Sequence, residues 1–201
     1  MQNKPSEAVI FLENAVGDDP ANAVGWLYLG IVYEQLNRLD EAIAVYRRIL
    51  PTAGYLSANI ANNLGNVYFR KGNTELAEQY YTQAINFDSV YSRAYLGRAN
   101  TQIKAGNLRS AVADYEQYMT LEPRSSQRSV IEQLVTVLRT EFAAEERRKI
   151  LAEEEERRLA EDRQRLLEAV SASLNSVADN SQGISSGTEN VESYEGEFEL
   201  D

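Results

Sequence analysis

Apolar positions along most of this chain recur at spacings of three and four, the mark of helices with one buried face. The pattern is clearest in residues 59–88. A first run puts Leu64, Val67 and Tyr68 on one face, and a second does the same with Leu76, Ala77, Tyr81, Ala84 and Ile85. Between them Lys71-Gly72-Asn73 reads as a turn, with Gly72 where a left-handed residue ends a helix. Gly65 and Ala77 are small residues at facing points, which lets the two helices approach closely. Such a hairpin leaves one apolar flank open, so it needs copies of itself alongside.

The chain supplies them. Ala42, Ala77 and Ala111 are each followed four residues later by Tyr46, Tyr81 and Tyr115, and Ala8 is followed in the same way by Leu12. The intervals between these alanines are 34, 35 and 34 residues. Leu29-Gly30 with Tyr33 matches Leu64-Gly65 with Tyr68, and Gly72 matches Gly106. Pro20 and Pro123 close their units after Asp19 and Glu122.

Trp26-x2-Leu29-Gly30-x2-Tyr33 followed by Ala42-x3-Tyr46 resembles the tetratricopeptide signature of 34-residue helix–turn–helix units. Ala77-x3-Tyr81 and Ala111-x3-Tyr115, with Pro123, continue it. The resemblance covers residues 5–123: a half repeat at 5–20, then repeats at 23–56, 58–91 and 92–123. It implies an all-α solenoid of about 3.5 repeats. Two places depart from the pattern. Pro51-Thr52-Ala53-Gly54 replaces the usual acidic-proline ending and adds a residue, and repeat three has Arg98-Ala99 and Gln102 instead of Leu-Gly and Tyr.

Beyond Pro123, residues 126–177 read as one long helix without Pro or Gly. At 1.5 Å per residue it reaches on the order of 75 Å. Ile131, Leu134, Val135, Leu138 and Phe142 form a stripe suited to covering the open flank of repeat three. Further on, Glu145 with Lys149, Glu153 with Arg157, Glu154 with Arg158 and Glu161 with Arg165 are acid-before-base pairs four apart. Each stabilises an isolated helix by roughly 0.2–0.5 kcal/mol. A helix this polar is held by its own ion pairs or bridges partners. The rival reading is a coiled coil, hence a homodimer through residues 159–177, because Leu159, Leu166, Val170 and Val177 nearly keep a heptad. That register also sets Lys149, Glu156 and Arg163 in the seam, which is costly. The domain reading is therefore an array over 1–124, a capping helix extending into a charged helix over 125–178, and a tail over 179–201. The tail carries seven carboxylates and no base, a composition that predicts disorder. Its last eight residues alternate acid with Tyr194, Phe198 and Leu200, either a solubilising end or a short docking motif.

Composition removes several functions. There is no cysteine and no histidine, so disulfides, thiolate metal sites and the commonest general base are excluded. No cofactor is expected. Asp18-Asp19 and Asp40-Glu41 sit where helices end or begin and are explained by capping. The run from Glu153 to Glu156 is a solvated face, and Ser125-Ser126 has no base nearby. The reading is no enzyme. Of the net charge of −11, most lies in the tail, and no basic patch interleaved with aromatics points to nucleic acid. No run of 18 apolar residues suggests a membrane span. The expected location is cytoplasmic. Residues 5–16 match only the second helix of a unit, with Ile10 and Phe11 on the outer side. That fits either an end cap or the loss of an upstream helix or export signal, which would make the protein exported or periplasmic.

The resemblance implies a concave groove lined by the first helix of each repeat, where a partner peptide binds. In repeat two its row is Asn59, Asn62, Asn66 and Arg70; in repeat three, Arg93, Leu96, Asn100 and Lys104; in repeat one, the apolar Val24, Leu27 and Ile31. Asparagine is a poor helix former, so the row in repeat two needs a cause. Its amide both donates and accepts, and can pair with the backbone of an extended peptide whatever its side chains. Arg70, Arg93 and Lys104 favour an acidic segment or a C-terminal carboxylate. The Lys-and-Asn set that clamps chaperone C-termini in this family is incomplete, since Leu27 and Ile31 occupy polar positions of that set. The function expected is a non-catalytic protein-interaction scaffold. The alternatives are an assembly protein joined through the long helix, or a regulatory fragment of a larger enzyme.

Overall fold

The computed structural model describes residues 5–186, with side chains described as far as Val177. It falls into two units, one ending at Thr140 and one starting at Glu141. The first holds seven helices and the start of an eighth. In order they are α1 (Pro5–Asp18), α2 (Ala23–Gln35), α3 (Leu39–Ile49), α4 (Ser57–Arg70), α5 (Thr74–Phe87), α6 (Ser92–Ala105), α7 (Leu108–Leu121) and α8 (Arg128–Ser186). Each helix packs on the next from α1 to α7, and α4 also touches α6, so first helices of adjacent repeats lie side by side. This is the all-α solenoid that the repeats imply.

The hairpin turns share one geometry. Asn37, Gly72 and Gly106 all have positive φ, at 58°, 79° and 83°. At each turn the next N–H reaches five residues back: Arg38 to the Tyr33 carbonyl at 2.8 Å, Asn73 to Tyr68 at 3.0 Å, Asn107 to Gln102 at 2.8 Å. The left-handed residue satisfies carbonyls that the helix end leaves open. Asparagine serves in the first turn because its short polar side chain tolerates that conformation.

Tyrosine rings fill the space between paired helices. Tyr46 is fully buried, and a Cβ on Gly30 would lie 2.2 Å from its ring. Tyr81 meets glycine on two sides, with a Cβ on Gly65 falling 2.7 Å and one on Gly97 2.4 Å from its ring. The notch at Gly65 thus receives a ring of α5, and Gly97 of the following repeat closes over the same ring.

The departures from the repeat pattern find local solutions. Residues 50–56 form two short 3₁₀ turns, Leu50–Thr52 and Gly54–Leu56, that take up the extra residue and bury Ala53. In repeat three Arg98 donates from Nε and Nη2 to the two carboxylate oxygens of Asp114, both at 2.7 Å, and from Nη1 to Thr82 Oγ1 at 3.0 Å. Gln102 donates to Glu78 at 2.9 Å. Polar residues replacing the consensus therefore tie α6 to α5 and α7.

The start of α8 buries Ile131 and Val135, and Arg128 donates to the Met119 carbonyl at 2.9 Å. Arg139 pairs with Glu116. In the second unit the side chains from Ala143 to Val177 are exposed. Lys149 meets Glu145 at 2.8 Å, as the spacing suggests. Arg157 and Arg165 instead approach Glu161 and Asp162, each at 3.9 Å. Acids flank these arginines on both sides, and exposed pairs differ too little in energy to fix one choice. The helix continues past residue 178, with no proline to stop it. Residues 187–201, where the rest of the disordered tail and the docking motif are expected, lie outside the described residues.

Candidate functional site

The face shared by α4 and α6 carries a cavity of about 310 Å³. Helical spacing brings Asn62, Asn66 and Phe69 to its α4 side and Arg93, Leu96, Gly97 and Asn100 to its α6 side. Asn63 and the Tyr81 ring complete the lining. Of the residues named from sequence, Asn62, Asn66, Arg93 and Asn100 come together here, with Leu96.

The other three are placed differently. Asn59 accepts from Asn63 Nδ2 at 3.4 Å, within its own helix. Arg70 turns toward repeat one, donating to the Glu34 carbonyl at 3.2 Å and to Asn37 Oδ1 at 3.0 Å. Lys104 holds its ammonium 5.0 Å from the centre of the Phe69 ring. Their spacing was right for one helix face, but interactions with other residues decide where the long side chains go. Asn63, Phe69, Gly97 and Tyr81 line the cavity without belonging to the rows that the sequence suggests. The Phe69 signal was present, since it lies three residues after Asn66.

Hydroxyls from the second helices orient the amides. Tyr81 donates to Asn66 Oδ1 at 2.8 Å, and Tyr115 donates to Asn100 Oδ1 at 2.6 Å. Burial raises both phenols above their ordinary range, so they stay protonated and keep donating. A hydroxyl on its oxygen fixes which end of each amide is the acceptor and leaves the NH₂ as the donor end. Repeat one has Ile31 at the matching position. There Tyr46 donates instead to Glu34 Oε1 at 2.7 Å. Burial raises the Glu34 carboxyl above its usual range, against the opposing pull of the Tyr46 hydroxyl and Arg70.

Asn62 differs from its neighbours. Only 4% of it is exposed, and its Oδ1 has no hydrogen-bond partner. Leaving such an acceptor unmet costs on the order of 1–3 kcal/mol. Within the cavity lining, Arg93 is exposed and Phe69 and Leu96 supply an apolar wall. The arrangement therefore offers two amide donors, one guanidinium and a hydrophobic patch, with the Asn62 oxygen buried and unmet beside them. Among the described residues no group of three or more acids could hold a metal ion.

Models of the tetratricopeptide repeat match residues 23–89 and 92–125. The chain belongs to the tetratricopeptide-repeat family. Among curated relatives of this repeat protein is the probable UDP-N-acetylglucosamine–peptide N-acetylglucosaminyltransferase SPINDLY of Hordeum vulgare, 31% identical over 100 residues. That match covers 47% of the chain and 11% of the relative. RNA polymerase II-associated protein 3 of Xenopus laevis is 29% identical over 110 residues, 55% of the chain and 16% of the relative. The chain spans less than half the length of the curated relatives it matches. Among solved structures, the first tetratricopeptide domain of Spaghetti (RPAP3), bound to the HSP90 peptide SRMEEVD, is 25% identical with a TM-score of 0.53. It covers 58% of this chain and 92% of that one. The crystal structure of MamA, 20% identical with a TM-score of 0.55 over 70% of this chain and 88% of that one, shares the fold.

Proposed function

We propose that this repeat protein is a non-catalytic interaction module that captures an extended segment of a partner on the face of α2, α4 and α6. The α4–α6 cavity carries the reading, because its fixed amide donors and Arg93 form an acceptor-seeking surface beside an apolar wall. The Spaghetti domain binds an acidic peptide, which supports peptide capture as the use of such a face. Leu27 is buried and Ile31 half-buried on α2, so the polar clamp for a chaperone C-terminus is not complete. The partner class is an acidic extended segment that also has apolar side chains.

Replacing Asn62 and Asn66 together by alanine should weaken capture by roughly 1–3 kcal/mol. Titration calorimetry against an acidic peptide set measures it. Unchanged affinity would end the reading. A second role rests on a separate observation: Leu166, Leu167, Val170, Leu174 and Val177 are all exposed on α8. Leu167, Val170, Leu174 and Val177 follow a three–four–three spacing, which suits pairing with a second copy. Sedimentation at rising concentration tests that pairing, and a monomer at about 100 μM, where a Kd of that size corresponds to roughly 5.5 kcal/mol, would remove it.

A further inference from the structure

Helix α1 carries the stripe of a second helix with no first helix over it. On α3 that stripe is Ala42, Val45, Tyr46 and Ile49, and on α7 it is Ala111, Asp114, Tyr115 and Tyr118, all buried. On α5 it is Ala77, Tyr80, Tyr81 and Ala84, buried except for Tyr80, which is half-buried and stacks on Tyr68 of α4. The matching residues of α1 are Ala8, Phe11, Leu12 and Ala15. There Phe11 is 74% exposed, Ala15 is exposed, and Ala8 and Leu12 are half-buried. Ile10, 61% exposed, widens the apolar area.

The rest of the array shows what fits such a stripe. Tyr46 and Tyr81 pack into Gly30 and Gly65, notches on the first helix of the same repeat. The covering piece is thus an amphipathic helix with a small residue where Leu12 meets it. Charge narrows the partner further. Residues 5–18 hold Glu7, Glu13 and Asp18 and no base, and Asp19 follows. Two copies of α1 laid face to face would bring these acids together, and an anionic lipid surface would repel them. Among the described residues the start of α8 also lies without a second helix of its own. The groove it forms beside α7 is lined by Glu132, Thr136 and Arg139, with Arg139 tied to Glu116, a surface suited to water rather than to Phe11. We propose that α1 docks a basic amphipathic helix of a partner protein, which completes the half repeat. This surface is separate from the face of α2, α4 and α6, and does not depend on peptide capture there.

The test uses the full chain and a synthetic peptide of residues 57–71. That peptide is a first helix in isolation, with Gly65 as its notch and Arg70 and Lys71 as its only charged side chains. Amide shifts on titration should concentrate on α1. Phe11→Ser should weaken binding about ten- to hundredfold, the effect of withdrawing one large apolar ring. Its melting temperature should hold, because the ring is already exposed. Ala15→Arg, on the same stripe, should also weaken binding, which covers failure of the first variant to fold. A peptide with Arg70→Glu and Lys71→Glu should bind less tightly in low salt. Asn62→Ala with Asn66→Ala should leave the affinity unchanged. The proposal falls if about 1 mM peptide, matching the weakest specific affinities, shifts no α1 amide, or if neither α1 variant weakens binding. It falls too if the unaltered chain self-associates and Phe11→Ser abolishes this, since a second copy then covers the stripe. Shifts confined to α2, α4 and α6 would overturn it and leave the groove reading intact.

Discussion

Helix α4 and the exposed stretch of α8 solve the same problem with opposite materials. In α4, Ile60, Ala61, Leu64 and Val67 are wholly buried, and that packing carries four asparagines in eight residues despite their poor helix propensity. Along α8 after Ala143 every described side chain is exposed, and apart from Ile150 and Asp162 the residues through Leu167 are the good helix formers Glu, Arg, Lys, Ala, Leu and Gln. A helix with neighbours is free to spend positions on ligand chemistry. A helix without them must stabilise itself.

The widest gap between the two regions should appear on cutting α5 at its anchor. Tyr81→Ala removes a ring that fills space between three helices and should cost about 3–5 kcal/mol, read by urea unfolding. Any loss under about 1 kcal/mol would mean the array does not depend on that ring. Next, Arg98→Leu leaves Asp114 buried without its guanidinium and should cost about 3 kcal/mol. Pairing it with Asp114→Leu should recover most of that loss if charge desolvation is the cause.

A smaller, pH-dependent effect should come from Glu34. Its carboxyl titrates higher when folded than when unfolded, so the proton it holds favours the folded chain. That contribution is complete below the unfolded value and disappears as pH rises through the raised folded value. Glu34→Gln, which keeps an oxygen for Tyr46, should flatten this part of the stability profile, and an unaltered slope would assign it elsewhere. Smallest of all, Glu145→Gln breaks an exposed pair on α8 and should change stability by less than about 0.5 kcal/mol, vanishing in salt.

Much of the array was legible because repeated constraints leave repeated residues. The Gly72 and Gly106 turns, the buried tyrosines and the small notches follow from backbone geometry and volume, which a single chain shows directly. Asn37 shows how far this reaches, since it takes the left-handed position without being glycine. The Arg98–Asp114–Thr82 bridge was not legible. Its three members sit on three helices, and only the fold brings them to 3.0 Å or less. For the site, spacing put Asn62 with Asn66 on one face of α4 and Arg93 with Asn100 on one face of α6, and these four line one cavity. It could not show that Arg70 is drawn to Glu34 and Asn37, or that Tyr81 and Tyr115 dictate what the amides offer.

The Tyr81 ring sits in notches cut by Gly65 and Gly97, one from each of two successive hairpins. Neither hairpin can slide along the other without vacating both notches at once, so this joint works as a lock. The preceding joint has Asn63 where Gly97 would stand, and it reaches the Tyr46 hydroxyl across 3.4 Å rather than closing on the ring. Shear along the array should therefore begin between the first and second full hairpins. The widened connector at residues 50–56 lies at that same seam.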